Sequence, residues 1–250
     1  MTFPSGNRTR ASLAATLLVL ALLAAAASAN AAQVGGSLGI ASDYVLRGIS
    51  QNGGDPALQG EAHLRFARGW SLGLWTSQVE LLPGRHSMEL DAYLQWRQPL
   101  NDDFDLGLSA THYAYPQDPR SIGYNYNELA ASLSWRDQIY ASVAYSPAVN
   151  LFTTYGFVVE RDKRVYTFEL SAHRSLSSHL EALAGVGFYG PRDIDYASYT
   201  YGSAALGWHY GKWRADLSWI AVQGVNHRWY TQGKAGGPVT LSVSRSFQGR

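Results

Sequence analysis

The sequence predicts an all-β fold: a transmembrane, antiparallel, up-and-down β-barrel of about 12 strands. Three observations carry that expectation. Apolar and polar residues alternate with a period of two through about a dozen stretches, an export segment precedes them, and the connections between them are alternately tight and long. Alternation alone would suit a half-buried sheet in a soluble protein. Behind an export segment it suits a barrel that is apolar toward lipid and polar toward its lumen.

The export segment is residues 1–31. Arg8 and Arg10 make a positive start, Ala11 to Ala27 is an apolar run, and Ala27-Ser28-Ala29 or Ala29-Asn30-Ala31 supplies small residues for cleavage, with Ala31 the favoured last residue. The run is short for a spanning helix of roughly 20 residues, and no later run is long enough, so insertion must be by strands. Residues 32–250 then make one outer-membrane barrel domain. Its mean hydropathy of −0.18 fits, because lipid-facing and lumen-facing residues average out. The absence of cysteine suits passage through an oxidising periplasm without a disulfide. Taking Arg8 and Arg10 from the 20 basic residues leaves 18 against 19 acidic ones, a balance of −1. That is no footprint for nucleic acid.

Candidate strands fall at 33–47, 57–67, 70–81, 87–98, 104–115, 124–135, 138–145, 164–174, 180–189, 199–210, 213–222 and 238–247. Every second connection is tight: Arg68-Gly69, 99–103, Arg136-Asp137, 175–179 and Gly211-Lys212. The rest, 49–56, 82–86, 116–123, 146–163, 190–198 and 223–237, are longer and polar or glycine-rich. Short periplasmic turns and longer outer loops are the barrel rule, and both termini then lie on the periplasmic side.

A basic residue on the lipid face at mid-bilayer costs roughly 2–4 kcal/mol, so the charged parity of each strand is assigned to the lumen. In the fourth candidate strand Met88, Leu90, Ala92, Leu94 and Trp96 go to lipid, leaving Glu89, Asp91, Tyr93, Gln95 and Arg97 inside. In the first, Val34, Leu38, Ile40, Tyr44 and Leu46 share the apolar parity, and Asp43 and Arg47 the other. In the last, Val239, Leu241, Val243 and Phe247 face out together with Arg245, which is tolerable where it snorkels to an interface. Trp70, Trp96, Trp135, Trp208, Tyr210 and Trp213 fall near strand ends, as interfacial aromatic girdles require.

Asp43-Tyr44-Val45-Leu46-Arg47-Gly48-Ile49-Ser50-Gln51 resembles the N-terminal signature of the Gcw_chp family, uncharacterised proteobacterial proteins also described as TorF-type porins. The resemblance continues through Pro56-Ala57-Leu58-Gln59-Gly60, then Gly69-Trp70-Ser71-Leu72-Gly73-Leu74-Trp75-Thr76-Ser77, then Glu89-Leu90-Asp91-Ala92-Tyr93. It departs at Gln95-Trp96, where the family tends to carry glycine and an aromatic, and beyond Tyr93 the likeness is one of strand rhythm. The resemblance implies an outer-membrane barrel with a transport role, and no catalytic residues.

The pore-lining candidates are Asp43, Arg47, Glu61, Arg65, Glu89, Asp91, Arg97, Glu128, Glu169 and Asp216. With Arg214 the lumen carries seven acids against four arginines, which favours cations mildly if it is open. The same charges can instead form cross-strand ion pairs that stiffen a filled barrel, with Asp43, Arg47, Glu61 and Arg65 placed for a ladder. An enzyme would need nucleophile, base and orienting group converging. Ser and Thr abound beside His63, His112, His173 and His209, yet no serine sits in a nucleophile elbow. Glu89 and Asp91 share a face at i, i+2, but no oxygen cage follows, so neither a metal nor any other cofactor is assigned. The expected function is a porin-like passive channel for small hydrophilic solutes, whose partners are outer-membrane lipid, those solutes and the barrel-assembly machinery. A non-conducting structural or ligand-binding barrel is the alternative, with an outer-membrane hydrolase behind it. The loop containing Trp229-Tyr230 is long enough to fold inward or bind a ligand.

Overall fold

The computed structural model describes residues 32–66, 69–82, 84–118, 123–152, 158–192, 197–225 and 239–248. The export segment with its cleavage site and the Trp229-Tyr230 loop lie outside the described residues. Twelve strands close into one antiparallel barrel. They are β1 (Gln33–Ala41), β4 (Ala57–Phe66), β5 (Trp70–Leu82), β6 (Arg85–Pro99), β7 (Phe104–Ala114), β8 (Tyr126–Trp135), β9 (Ile139–Phe152), β10 (Val158–Ser175), β11 (Leu180–Pro191), β12 (Tyr199–Tyr210), β13 (Trp213–Gln223) and β14 (Val239–Gln248). Two short strands, β2 (Val45–Leu46) and β3 (Ile49–Ser50), pair with each other and stand apart from the barrel sheet. Each barrel strand pairs with its neighbours in the chain, and β1 meets β14 from Gly35↔Gln248 to Ala41↔Ser242, so no edge is left open.

The connections read as tight gather at one rim, with Gln33 and Gln248, and those read as longer at the other, where the β5–β6 link is nonetheless only two residues because Leu82 pairs with Arg85. At the turn rim Gly211 takes a positive φ of 60° in a two-residue link between the paired Tyr210 and Trp213. Arg97 joins two strands and a turn there, reaching Asp105 at 2.9 Å and Asp137 at 3.1 Å. Hydrogen bonds from Tyr140 and then Arg97 hold the Asp137 carboxyl below the usual range.

The two faces separate as the alternation requires. Val34, Leu38, Ile40, Leu129, Phe168, Leu170, Leu217, Trp219 and Leu241 are exposed on the outside, while Glu89, Asp91, Glu128 and Thr167 are buried within. The expected aromatic belt is dense at the turn rim. Trp70 lies 6.3 Å from Trp96, Arg136 sits over Trp135 at 5.0 Å, and Arg245 lies over the Trp213 ring at 5.6 Å. That last contact explains how an arginine occupies the apolar parity of β14: its charge rests on an indole at the rim.

Three expectations are corrected. The first strand ends at Ala41 rather than running to Arg47, so Tyr44 and Leu46 do not share the outward face of Val34 and Leu38. The connection expected over 146–163 is largely strand, because β9 and β10 continue pairing as far as Phe152↔Val158 through shifts of register. Polar residues there suit a ladder that has left the apolar zone, and composition alone reads such a stretch as loop. The ladder expected from Asp43, Arg47, Glu61 and Arg65 is replaced by other partners, described below.

Leu217, half exposed at the middle of β13 between the outward-facing Leu206 and Leu241, tests the outer surface. In lipid vesicles Leu217→Arg should lower unfolding stability by about 2–4 kcal/mol, whereas Ser218→Arg, pointing inward one residue on, should cost far less. Urea titration followed by tryptophan fluorescence checks it.

Candidate functional site

The β1–β4 connection folds into the barrel from the loop rim. Val45 pairs with Ser50 and Leu46 with Ile49, leaving Arg47-Gly48 as a two-residue turn with φ of 50° and 82°. Both φ values are positive, as a type I′ hairpin demands. The base is tied by Ser50 Oγ donating to Asp43 Oδ1 at 2.8 Å and by the Gly54 amide donating to Ser50 Oγ at 3.0 Å. Burial pushes the Asp43 carboxyl up, with the Ser50 bond opposing. The Glu80 amide donates to the Gln51 carbonyl at 2.8 Å, and Ser42 and Leu241 exchange bonds at 2.8 and 3.0 Å, so the wall holds both ends.

Side chains of the hairpin divide between two walls. Tyr44 packs with Ala57, Val79, Leu81 and Tyr115, and Leu46 lies against that cluster with Trp75, Tyr113 and Tyr126. A fully buried large apolar side chain contributes about 1.5–3 kcal/mol, enough for this contact to hold the hairpin's base against the β5–β8 wall. On the other side a Cβ on Gly48 would lie 2.7 Å from Val222 and 2.8 Å from Tyr201, so the tip touches β12 and β13. Arg47 donates to Glu128 Oε1 at 2.8 Å, on β8, nearly opposite β1 in the strand order. The hairpin therefore crosses the lumen.

Glu128 is fully engaged. Ser146 Oγ donates to Oε2 at 3.1 Å and the Tyr113 hydroxyl to Oε1 at 3.4 Å, while Tyr113 stacks on Tyr126 at 4.3 Å. The side chains of Arg47 and Glu128 are 11% and 8% exposed, so neutralising either strands a buried charge at a cost of about 3–5 kcal/mol. Arg136–Asp103, at 58% and 46%, is worth about 0–1 kcal/mol. Burial is the largest single influence and works against the Arg47 charge, yet the hydrogen bond and the charge of Glu128, with the neighbouring tyrosines, together outweigh it and hold the guanidinium pKa above its ordinary value. Glu89 and Asp91 lie next to this pair beneath Tyr44. Glu89 is fully buried, with neither carboxylate oxygen in a hydrogen bond of normal geometry, and Asp91 has one oxygen in the same condition.

A repeated device arranges the remaining carboxylates. Tyr93 on β6 lies over Gly73 on β5 and donates to Glu61 on β4 at 2.5 Å. Tyr201 on β12 lies over Gly187 on β11 and donates to Glu169 on β10 at 2.6 Å. Each glycine vacates the space its cross-strand tyrosine fills. Toward the turn rim Arg214 meets Glu181 at 2.6 Å and Asp216 at 2.7 Å. Between the hairpin and β1, β12, β13 and β14 lies a cavity of about 380 Å³, lined by Asp43, Arg47, Gln59, Ser203, Ser218 and Ser242.

Of the sequence-predicted residues, Glu89, Asp91, Glu128 and Arg47 come together; Asp43 is at the hairpin base; Glu61 and Glu169 stand under tyrosines. Arg97 and Asp216 belong to rim networks, and Arg65 is exposed on β4. The four histidines do not converge: His63 is 3.3 Å from Glu61, His112 shares a hydrogen bond with Asn127, His173 stacks by Tyr140 and His209 lies by His179. Among the described residues no group of three or more His, Cys, Asp or Glu could hold a metal ion. Sequence reasoning placed Tyr93 inside but missed the other tyrosines that carry the site. Their signal was parity, since Tyr113 follows Thr111 and Tyr201 precedes Ser203 on inward positions.

A family model described as a bacterial protein of unknown function, Gcw_chp, matches residues 24–245. The chain belongs to the Gcw_chp family. The Gcw_chp match thus runs well past Tyr93 and takes in both walls that the hairpin touches. Comparison with curated proteins found no match. Among solved structures this Gcw_chp chain is similar to the NanC porin, at 15% identity and TM-score 0.49 over 87% of this chain and 99% of that one. It is similar to the KdgM porin at 9% and 0.49, covering 86% and 98%. A chain solved in work on in-meso crystallisation of membrane proteins gives 9% and 0.51, covering 86% and 83%. At such identities the likeness is one of fold.

Gly187→Ala places a Cβ 2.3 Å from the Tyr201 ring and should destabilise the barrel by about 1–3 kcal/mol. Adding Tyr201→Ala should make the Gly187→Ala change nearly neutral, which a double-mutant cycle by urea unfolding measures.

Proposed function

We propose that the chain works in the bacterial outer membrane as a porin-like passive channel for small hydrophilic solutes, mildly preferring cations. The observation that carries this reading is the two-sidedness of a closed barrel: an apolar outer surface with an aromatic belt, and an inner surface of carboxylates, arginines, tyrosine hydroxyls and serines. The export segment supports the destination. Outer-membrane lipid would cover the outside, small solutes would pass within, and the barrel-assembly machinery would insert the folded chain.

The pore-lining set falls into three groups on this reading. Glu61, Arg65, Arg97, Glu169 and Asp216 belong to the wall, Asp43 and Arg47 to the hairpin, and Glu89, Asp91 and Glu128 to the pocket under it. Glu169 is exposed and Glu61 half-buried, so these two carboxylates act on passing ions more directly than the fully buried Glu89. No residue is assigned a catalytic role. A second reading, a ligand-binding barrel, is favoured by one observation: the hairpin crosses the lumen near the loop rim and leaves a cavity of about 380 Å³ beside it.

Refolded protein in planar bilayers should show a reproducible unit conductance, with a reversal potential on the cation-selective side in a salt gradient. Glu61→Gln combined with Glu169→Gln should move that potential toward zero. A folded barrel that stays silent at every voltage, both intact and with residues 45–50 replaced by glycine and serine, contradicts the channel and leaves the ligand-binding reading.

A further inference from the structure

We infer that the β2–β3 hairpin is a gate, that Arg47 on Glu128 is its latch, and that small organic cations open it by competing for the latch's acidic pocket. The inference rests on the channel reading above. Its structural basis is independent of the wall chemistry: a two-residue turn carries a guanidinium across the barrel to a carboxylate on a strand almost opposite.

The pocket holds more carboxyl groups than its resident cation pairs with. Glu128 is paired with Arg47, while Asp91 lies within electrostatic reach of both Glu128 and Glu89. Glu89 is fully buried, faced by the Tyr44 and Tyr115 hydroxyls but by no cation, and one oxygen of Asp91 has no hydrogen bond. A buried carboxyl group without a cationic partner is neutralised by a proton, which an entering cation can displace. The stacked Tyr113 and Tyr126 rings beside Glu128 add π-faces, which attract guanidinium and ammonium groups alike. Arg47 occupies part of this site as an internal ligand. A free guanidinium or primary amine offers the same hydrogen bonds and charge, so it exchanges with Arg47 without leaving Glu128 unpaired.

The gate is also built to leave. The hairpin's own ladder is two residue pairs, and its tip meets β12 and β13 through Gly48, which has no side chain to interlock. Tyr44 and the Asp43–Ser50 base remain anchored to the wall while the tip swings. Opening therefore requires exchange of one ion pair, release of a smooth contact and withdrawal of Leu46 from the edge of the Tyr44 cluster.

The test uses full-length refolded barrel in planar bilayers, with guanidinium chloride in the millimolar range replacing part of the sodium chloride at constant ionic strength. Wild-type protein should show long closed intervals in sodium and several-fold greater open time with guanidinium. Glu128→Gln should be open in both salts and indifferent to the exchange. The chain has no cysteine, so Arg47→Cys with Glu128→Cys, bridged by a bifunctional thiol reagent, reports on the hairpin alone and should stay closed until the bridge is reduced. Wild-type and Glu128→Gln channels with the same open time, or a bridged barrel that conducts like the unbridged one, overturn the gate while leaving the channel standing. Open time unchanged by guanidinium in wild type, with Glu128→Gln constitutively open, overturns the cationic opener. Silence in every variant, including one with residues 45–50 replaced by glycine and serine, removes the channel reading and the gate with it.

Discussion

A sheet closed on itself gives each side chain one of two surroundings, and every other feature of this molecule depends on that constraint. Strand pairing leaves no edge, and the period of two sends alternate residues outward or inward. Outside, Leu, Phe and Trp need no partners. Inside, charges compete for partners in a confined space, and the structure supplies them in three ways. Arg97 and Arg214 toward the turn rim take two carboxylates each, tyrosines reach over glycines to Glu61 and Glu169, and Glu128 is met by a residue from the opposite side of the barrel.

Much of this was legible in the sequence because it is local. Alternation located all twelve barrel strands, and charge set their parity: Met88 and Leu90 outward around Glu89, Leu129 outward beside Glu128, Trp213 and Leu217 flanking Asp216. The turn rim was legible for the same reason, since two residues such as Gly211-Lys212 leave few ways to join two strands. Even the misplaced-looking Arg245 was assigned to a rim, and its indole partner is the nearest cross-strand residue.

What the sequence hid is non-local. Asp43 to Arg47 continues the alternation of β1, so a rule of period two extends the strand through residues that in fact turn inward. The cause is tertiary: Tyr44 gains a packed cluster inside the barrel, and Arg47 gains a carboxylate 81 residues away. The Arg47-Gly48 pair between β-branched and aliphatic neighbours was the available hint, a hairpin turn read as the end of a strand. Apart from Tyr93, the lumenal tyrosines were the other hidden feature. A tyrosine's ring and hydroxyl suit both an interface and a lumen, and the aromatics that make the belt are mostly tryptophan at the turn rim, while Tyr113, Tyr126, Tyr199 and Tyr201 face inward toward the loop rim.

The inward fold of the first connection is the feature on which the lumen's chemistry turns, and Arg47 reports on it directly, because trypsin cleaves after arginine in chain that it can reach. Limited trypsin treatment of the refolded barrel, followed by mass spectrometry, should leave the Arg47-Gly48 bond intact under conditions that cut exposed loops. Rapid and complete cleavage at Arg47 in an otherwise folded barrel would place that residue outside the lumen and contradict the account.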